Sequence, residues 1–306
     1  MQQITVPAYG KINLTLDITG KREDGYHELV TLMQQVELHD DVRIRLSPKK
    51  RISVLSDHES VPRDAANIAY RAAQELLCFA GLDLTGLNYG IDIFIAKRIP
   101  VEGGMAGGSA NAAAVLKGLN RLLNLNLSTE ELMRIGLRLG ADVPYCIFGG
   151  TAVARGIGEI LTRVPSPPTM WMVLVKPDFG VSTALVYKNF SFHERLCRPD
   201  LDLVLNGIER GEIVDIYRGM GNVLESVTLR LYPVLQDIKR RLADWGAEAV
   251  LMSGSGPTVC AFTRSPELAK DLCATAQRNF PASYRVVTTN TISVGEEGNI
   301  SARAEY

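Results

Sequence analysis

"PVEGGMAGGSANAAAVLKG", residues 100–118, is the stretch on which the fold turns. Four glycines, Gly103, Gly104, Gly107 and Gly108, fall within six positions, and Ser109 follows. Ahead lies "IDIFI" (91–95), whose alternation predicts a strand; behind lies a run of small residues that predicts a helix over 109–122. Glycine is costly to order and is used where backbone must pass close to something. The dinucleotide fingerprint needs Gly at i, i+2 and i+5, and Met105 and Ala106 break it. A P-loop needs Lys after its second glycine, and Ser109 stands there. The physics common to both patterns survives. A strand, a loop poor in side chains and a helix start present bare N–H groups at the positive end of a helix dipole. Such a place suits a nucleotide triphosphate, with Ser109 offering a hydroxyl to phosphate or Mg²⁺. A tight turn with no ligand is the plain alternative.

Working outward, Ile12, Leu14, Leu16 and Ile18 alternate with polar residues, which predicts a half-buried strand, and Asp24-Gly25 marks a turn. "VRIRL" (42–46) predicts another strand and 66–80 a helix with one buried face. Ser128 and Glu131 fit a capping box for a helix that ends near Gly140. "FGGTAVARG" (148–156) predicts a strand opened by glycines. Pro165, Pro167 and Pro168 then make the best linker candidate. Beyond it, "MWMVLVK" (170–176) predicts a buried strand, and helices are expected at 182–190, 200–210 and 228–245. The last of these rests on a stripe of Leu231, Val234, Leu235, Ile238, Leu242 and Trp245. Two strands, 247–252 and 258–262, flank "SGSGP"; a helix over 266–278 and a strand over 284–289 follow. The class is α+β, in two lobes: residues 1–165, residues 166–292, and a polar tail over 293–306.

Composition excludes several classes. The net charge of −1 over 306 residues carries no basic field for nucleic acid or anionic membrane. Five scattered cysteines without a C-x-x-C pair argue against a disulfide framework and a structural zinc site. The N-terminus lacks the basic-then-apolar pattern of a secretion signal, so a cytoplasmic location is expected.

Three stretches belong together: "PAYGKINLTLDITGKREDGYHEL" (7–29), the glycine loop, and "SGSGPTV" (253–259). In order and character they resemble the GHMP kinase family. The resemblance implies an S5-like N-terminal lobe that binds ATP and carries the catalytic residues. It implies a ferredoxin-like C-terminal lobe that binds substrate. "DGYHEL" and "LGADVPYCIFGG" further resemble a branch of that family whose acceptor is a small cytidyl sugar alcohol, phosphorylated on its 2-hydroxyl by ATP. A homoserine or mevalonate type of kinase in the same family is the nearest alternative. A nucleotide-binding regulator and an RNA-binding module are remoter ones.

The family pattern gives roles to particular residues. Lys11, on composition a solvated strand lysine, matches the lysine that stabilises the transferred phosphoryl group. Asp142, otherwise a helix N-cap, matches the base that takes the hydroxyl proton. The resemblance assigns ATP to Pro100, Val101, Glu102, Gly103, Gly104, Met105, Ala106, Gly107, Gly108, Ser109 and Ala110; Lys97, just before the loop, reads either as a strand-end lysine or as a further ATP contact. It assigns the acceptor to Asn13, Tyr26, His27, Thr183 and Tyr187, with the two tyrosines stacking on the base and His27 bonding its edge. No metal-ligand cluster is evident, so Mg²⁺ is expected as the ATP complex. A monomer or weak homodimer is expected.

Overall fold

The computed structural model describes residues 2–83, 88–192 and 196–293. The polar tail foreseen from residue 293 lies, apart from its first residue, outside the described residues.

The first lobe is built on two unusually long strands, β1 (Gln3–Lys21) and β2 (His27–Ser47), paired antiparallel. The turn between them sits where Asp24-Gly25 placed it; Gly25 takes φ +87° and the Tyr26 N–H donates to Asp24 Oδ1 at 3.1 Å. Strand β3 (Ile52–Ser56) is followed by α1 (Ile68–Phe79) and β4 (Gly90–Ala96). Three helices come next: α2 (Gly107–Leu122), α3 (Thr129–Leu139) and α4 (Val143–Phe148). The strands β5 (Thr151–Gly156) and β6 (Ile160–Arg163) complete the lobe. The free edge of β2 is long enough for two partners, β5 along Leu29–Gln34 and β4 along Asp41–Ser47.

Helix α2 lies on this sheet, and its small residues set the distance. A Cβ on Gly118 would stand 2.4 Å from Ile44 Cδ1 and 3.2 Å from Val6 Cγ2. Ala113, Leu116 and Leu119 join Ile12, Leu14 and Ile44 in one buried cluster. Ser128 and Glu131 form the capping box of α3 with both bonds present.

The sheets change over between Arg163 and Trp171. The second lobe holds β7 (Trp171–Lys176), α5 (Thr183–Lys188), α6 (Leu201–Arg210), α7 (Ile213–Gly219) and the two-residue β8 (Gly221–Asn222). Then come α8 (Glu225–Leu231), α9 (Val234–Asp244), β9 (Ala249–Met252), β10 (Val259–Thr263), α10 (Pro266–Asn279) and β11 (Arg285–Asn290). Its four-stranded sheet runs β11-β7-β10-β9, every pair antiparallel. That order, with helices after β7 and after β10, is the ferredoxin-like arrangement. Strand β8 leaves this sheet and pairs parallel with β1 at Thr15 and Leu16.

Two expectations change. The single helix over 228–245 is two helices, α8 and α9, because Pro233 cannot donate within a helix and becomes the N-cap of α9. Leu231 and Val234, counted in the stripe, are 39% exposed, whereas Leu235, Ile238 and Leu242 are buried. The opening strand is not half-buried: Lys11, Asn13 and Thr15 are as enclosed as Ile12 and Leu14. Against its polar side stand the Met105 carbonyl, which takes the Lys11 N–H at 3.2 Å, and Gly254, whose Cβ position is 3.7 Å from Asn13 Oδ1.

Gly118→Val is expected to lower stability by about 1–3 kcal/mol, because the added methyls have no space above Ile44 and Val6. Denaturant unfolding measures it.

Candidate active site

Lys11 stands between two irregularities of the β1–β2 ladder. The β1–β2 register shifts between Tyr9 and Lys11 and again between Asn13 and Thr15. Bulges re-aim side chains and release main-chain groups from the ladder. Here the Lys11 N–H donates to the Met105 carbonyl of the glycine loop at 3.2 Å. The Lys11 side chain is buried, and Nζ donates to Asn13 Oδ1 at 2.9 Å. Asn13 Nδ2 donates to Thr31 Oγ1 at 2.8 Å, and Thr31 Oγ1 donates to the Thr15 carbonyl at 2.5 Å. Both ends of the Asn13 amide therefore serve the lysine's surroundings.

Asp142 is brought to Lys11 from far along the chain. Lys11 Nζ lies 3.8 Å from Asp142 Oδ1, with the aspartate side chain about one-third exposed to the cleft. Asp142 is the N-cap of α4, yet its carboxylate makes no capping bond. Helix α4 is fixed from behind. Tyr145 Oη donates to the Gly150 carbonyl at 2.6 Å, and the Gly150 N–H donates to Gln35 Oε1 at 2.6 Å. Cys146, one turn on, is buried, and burial pushes its thiol up to about 12, so it stays neutral.

The glycine loop meets the geometry its composition implied. Helix α2 starts two residues earlier than foreseen, at Gly107, with Ala106 as N-cap in the left-handed region (φ 55°). No side chain caps this helix, and its first turn holds no acidic residue. The first intrahelical bond is Ala110 N–H to Ala106 C=O, which leaves the amides of Gly107, Gly108 and Ser109 ahead of it. Gly104 takes φ +73°, and a Cβ there would stand 2.3 Å from the Ser253 carbonyl oxygen and 2.9 Å from that of Gly256. Ser253 Oγ donates to the Gly104 carbonyl at 3.0 Å. The "SGSGP" turn therefore packs directly against the loop.

These parts line one cleft of about 1130 Å³. It takes in Lys11, Asn13, Asp142, Lys97 and Pro100 through Gly108. Ser109 and Ala110 do not line it. At one end stand Tyr26, His27, Thr183 and Tyr187. Tyr26 is 61% exposed. The His27 and Tyr187 rings lie 5.4 Å apart, and Thr183 Oγ1 is 2.9 Å from Ser255 Oγ. Burial pulls the His27 pKa below its ordinary value and pushes that of Tyr187 up, so both rings are neutral at pH 7.

Sequence reasoning missed several lining residues. Val61, Pro62 and Asn67 form another wall of the cleft, where Asn67 caps α1 and donates to the Pro62 carbonyl at 2.7 Å. Next to it, Ile68 Cγ2 comes within 3.5 Å of the Cβ position of Gly108. Val61 and Pro62 lie in a stretch without a periodic pattern, and Asn67 falls inside the helix expected over 66–80, so none of them stood out as a site residue. Phe190 stacks edge-on to His27 with 6.0 Å between centroids. Lys97, expected at the nucleotide, has its ammonium engaged within the protein: Nζ donates to Asp40 Oδ2 at 2.6 Å and to the Ile99 carbonyl at 2.8 Å. Burial draws the Lys97 pKa down, and the Asp40 charge opposes that.

Two family models match the chain: the GHMP kinases N terminal domain over residues 67–150, and the GHMP kinases C terminal over 203–282. The chain belongs to the GHMP kinase family, and it is an ATP-using phosphotransferase. Within the family its likeness narrows to one kind of member. A 4-diphosphocytidyl-2-C-methyl-D-erythritol kinase from Alkaliphilus oremlandii is 46% identical over 95% of this chain and 98% of the relative. The crystal structure of a 4-(cytidine 5'-diphospho)-2C-methyl-D-erythritol kinase superposes with a TM-score of 0.77 at 32% identity, covering 94% of this chain and 98% of that one. A homoserine kinase from Cytophaga hutchinsonii shares the fold, with a TM-score of 0.75 at 22% identity over 95% of each chain. Among the described residues no helix is long and apolar enough to cross a membrane.

Gly104→Ala is expected to cost about 1–3 kcal/mol through the left-handed backbone alone, with the clash at the Ser253 carbonyl adding to it. A lowered thermal midpoint together with weakened ATP binding is the expected outcome; an unchanged midpoint would show that the loop can move off the turn.

Proposed function

We propose that the chain transfers the γ-phosphoryl group of ATP to the 2-hydroxyl of 4-diphosphocytidyl-2-C-methyl-D-erythritol, a step in non-mevalonate isoprenoid precursor synthesis. The observation that carries the chemistry is the meeting of Lys11 and Asp142, 3.8 Å apart, beside an uncapped helix start. The named relatives support the acceptor.

In this reading the triphosphate rests on the amides of Gly107 and Gly108, where the helix dipole favours anions. The adenosine end lies toward Val61, Pro62 and Asn67. The cytosine lies toward Tyr26, His27 and Tyr187, so the acceptor's wall comes from both lobes. Residues 1–165 carry the phosphate loop and the reacting pair, and residues 166–292 close the acceptor end. Asp142 accepts the 2-hydroxyl proton as that oxygen bonds to Pγ. The bond from Pγ to the β,γ-bridging oxygen breaks, and ADP leaves with the electron pair. Lys11, oriented by Asn13, faces the charge gathered on the transferred group. Mg²⁺ would arrive as part of the ATP complex, held mainly by phosphates and waters. Bound there, it would neutralise phosphate charge.

ADP release measured with the cytidyl alcohol, homoserine and mevalonate tests the reading. Turnover is expected with the first alone, and its absence there would overturn the assignment. Asp142→Asn is expected to lower kcat by about 10²–10⁴-fold while ATP still binds; near-normal turnover would pass the base's role to another group. Tyr26→Ala is expected to raise the acceptor KM by about tenfold or more, the value of one stacked base, with the ATP KM unchanged.

A further inference from the structure

Asp40 lies on β2 behind the glycine loop, and its side chain has no solvent exposure. Four donors converge on this one carboxylate. Oδ1 accepts the N–H groups of Arg98 and Ile99, both at 2.7 Å. Oδ2 accepts Lys97 Nζ at 2.6 Å and Asn111 Nδ2 at 2.8 Å. Three of these donors belong to the strap that leaves β4 for the loop. The fourth belongs to α2, just beyond it. One buried group therefore holds both ends of the segment from Lys97 to Asn111.

Asp40 does not line the cleft, so it touches neither substrate. Its influence must pass through the backbone it ties down. That backbone needs tying. Glu102 and Ala106, neither of them glycine, both hold left-handed φ values of 52° and 55°. Such conformations persist only where the surroundings over-determine them. Anion binding by bare amides also depends on their being fixed in advance, because reorganising them at each binding event would cost affinity. Charge-assisted bonds to a buried carboxylate are strong tethers. The Lys97 ammonium, 2.9 Å from the Cβ position of Gly107, fills the space under the helix start and is itself held by Asp40.

We propose that Asp40 is a positioning residue for ATP: by fixing both ends of the glycine loop it sets the spacing of the amides that receive the polyphosphate. This rests on the kinase reading above. Asp40→Asn keeps the size and removes the charge. ATP is titrated calorimetrically into the folded variant without acceptor, and the cytidyl alcohol is titrated separately. The ATP Kd is expected to rise about tenfold or more while the acceptor Kd stays within about twofold. A merely structural loss would lower the active fraction and move neither constant. An unchanged ATP Kd in folded Asp40→Asn overturns the proposal. Where that variant does not fold, Asp40→Glu keeps the charge for Lys97 and displaces the tether by one methylene. Weaker ATP binding is again expected, and wild-type affinity overturns the proposal. A wild type that binds ATP but ignores the cytidyl alcohol sinks the acceptor reading alone, since the ATP comparison uses no acceptor.

Discussion

The bond from the Lys11 N–H to the Met105 carbonyl is the constraint around which the site is built. At this point the β1–β2 ladder is irregular: the two steps from Tyr9 to Lys11 face four on β2, from His39 to Gln35. Gln35 makes its main-chain bonds away from β1, with Gly150 and Ile292, and the Lys11 N–H goes to the glycine loop. One main-chain bond thereby fixes the distance between a buried lysine and the start of α2. The lysine need not be placed by its own flexible stem. Its ammonium is held by Asn13 and its main chain by the loop, so little rotamer freedom is left to lose when a ligand arrives.

The same economy governs the other approach. The loop touches the second lobe through backbone, not through side chains. Gly104 lies so near the carbonyls of Ser253 and Gly256 that no Cβ fits between them. The hydroxyl of Ser253 closes the contact. Two glycine-rich stretches far apart in sequence are thus one structural unit, each free of side chains because the other occupies the space. From behind, a single carboxylate holds the loop's ends, and from below, small residues let α2 settle on the sheet. Gly107 and Gly108, at the start of α2, face the cleft.

Much of this was legible in the chain, and what was not has physical causes. The glycine loop, the capping box of α3 and the buried strands of the second lobe follow from local rules. The grouping of Lys11, Asp142 and Tyr187 did not; no periodicity joins residues so far apart, and family likeness supplied it. Asp40 left no signal, because a lone aspartate in a charged stretch such as "ELHDDVR" reads as solvated. Its burial is decided by donors arriving from β4 and α2. Lys97 was only partly legible: a strand-end lysine beside a phosphate loop suggests a ligand contact, and only coordinates reveal the carboxylate beneath it. Pro233 was a local cue passed over, since an apolar stripe across it outweighed the missing donor.

Strand β8 has a bearing on how the polypeptide can be divided. Gly221 and Asn222 come from the second half of the chain but lie alongside β1, and Asn222 Nδ2 donates to the carbonyls of Met252 and Gly254. The proline-rich linker therefore is not a clean place to cut. A fragment ending there would uncover the edge of β1 at Thr15 and Leu16, a ready template for pairing with another molecule. Its companion would carry a strand with no sheet to join. Complementation from two separately made pieces would depend on that small crossing element finding its groove, so the joint between the halves is woven and not merely abutted.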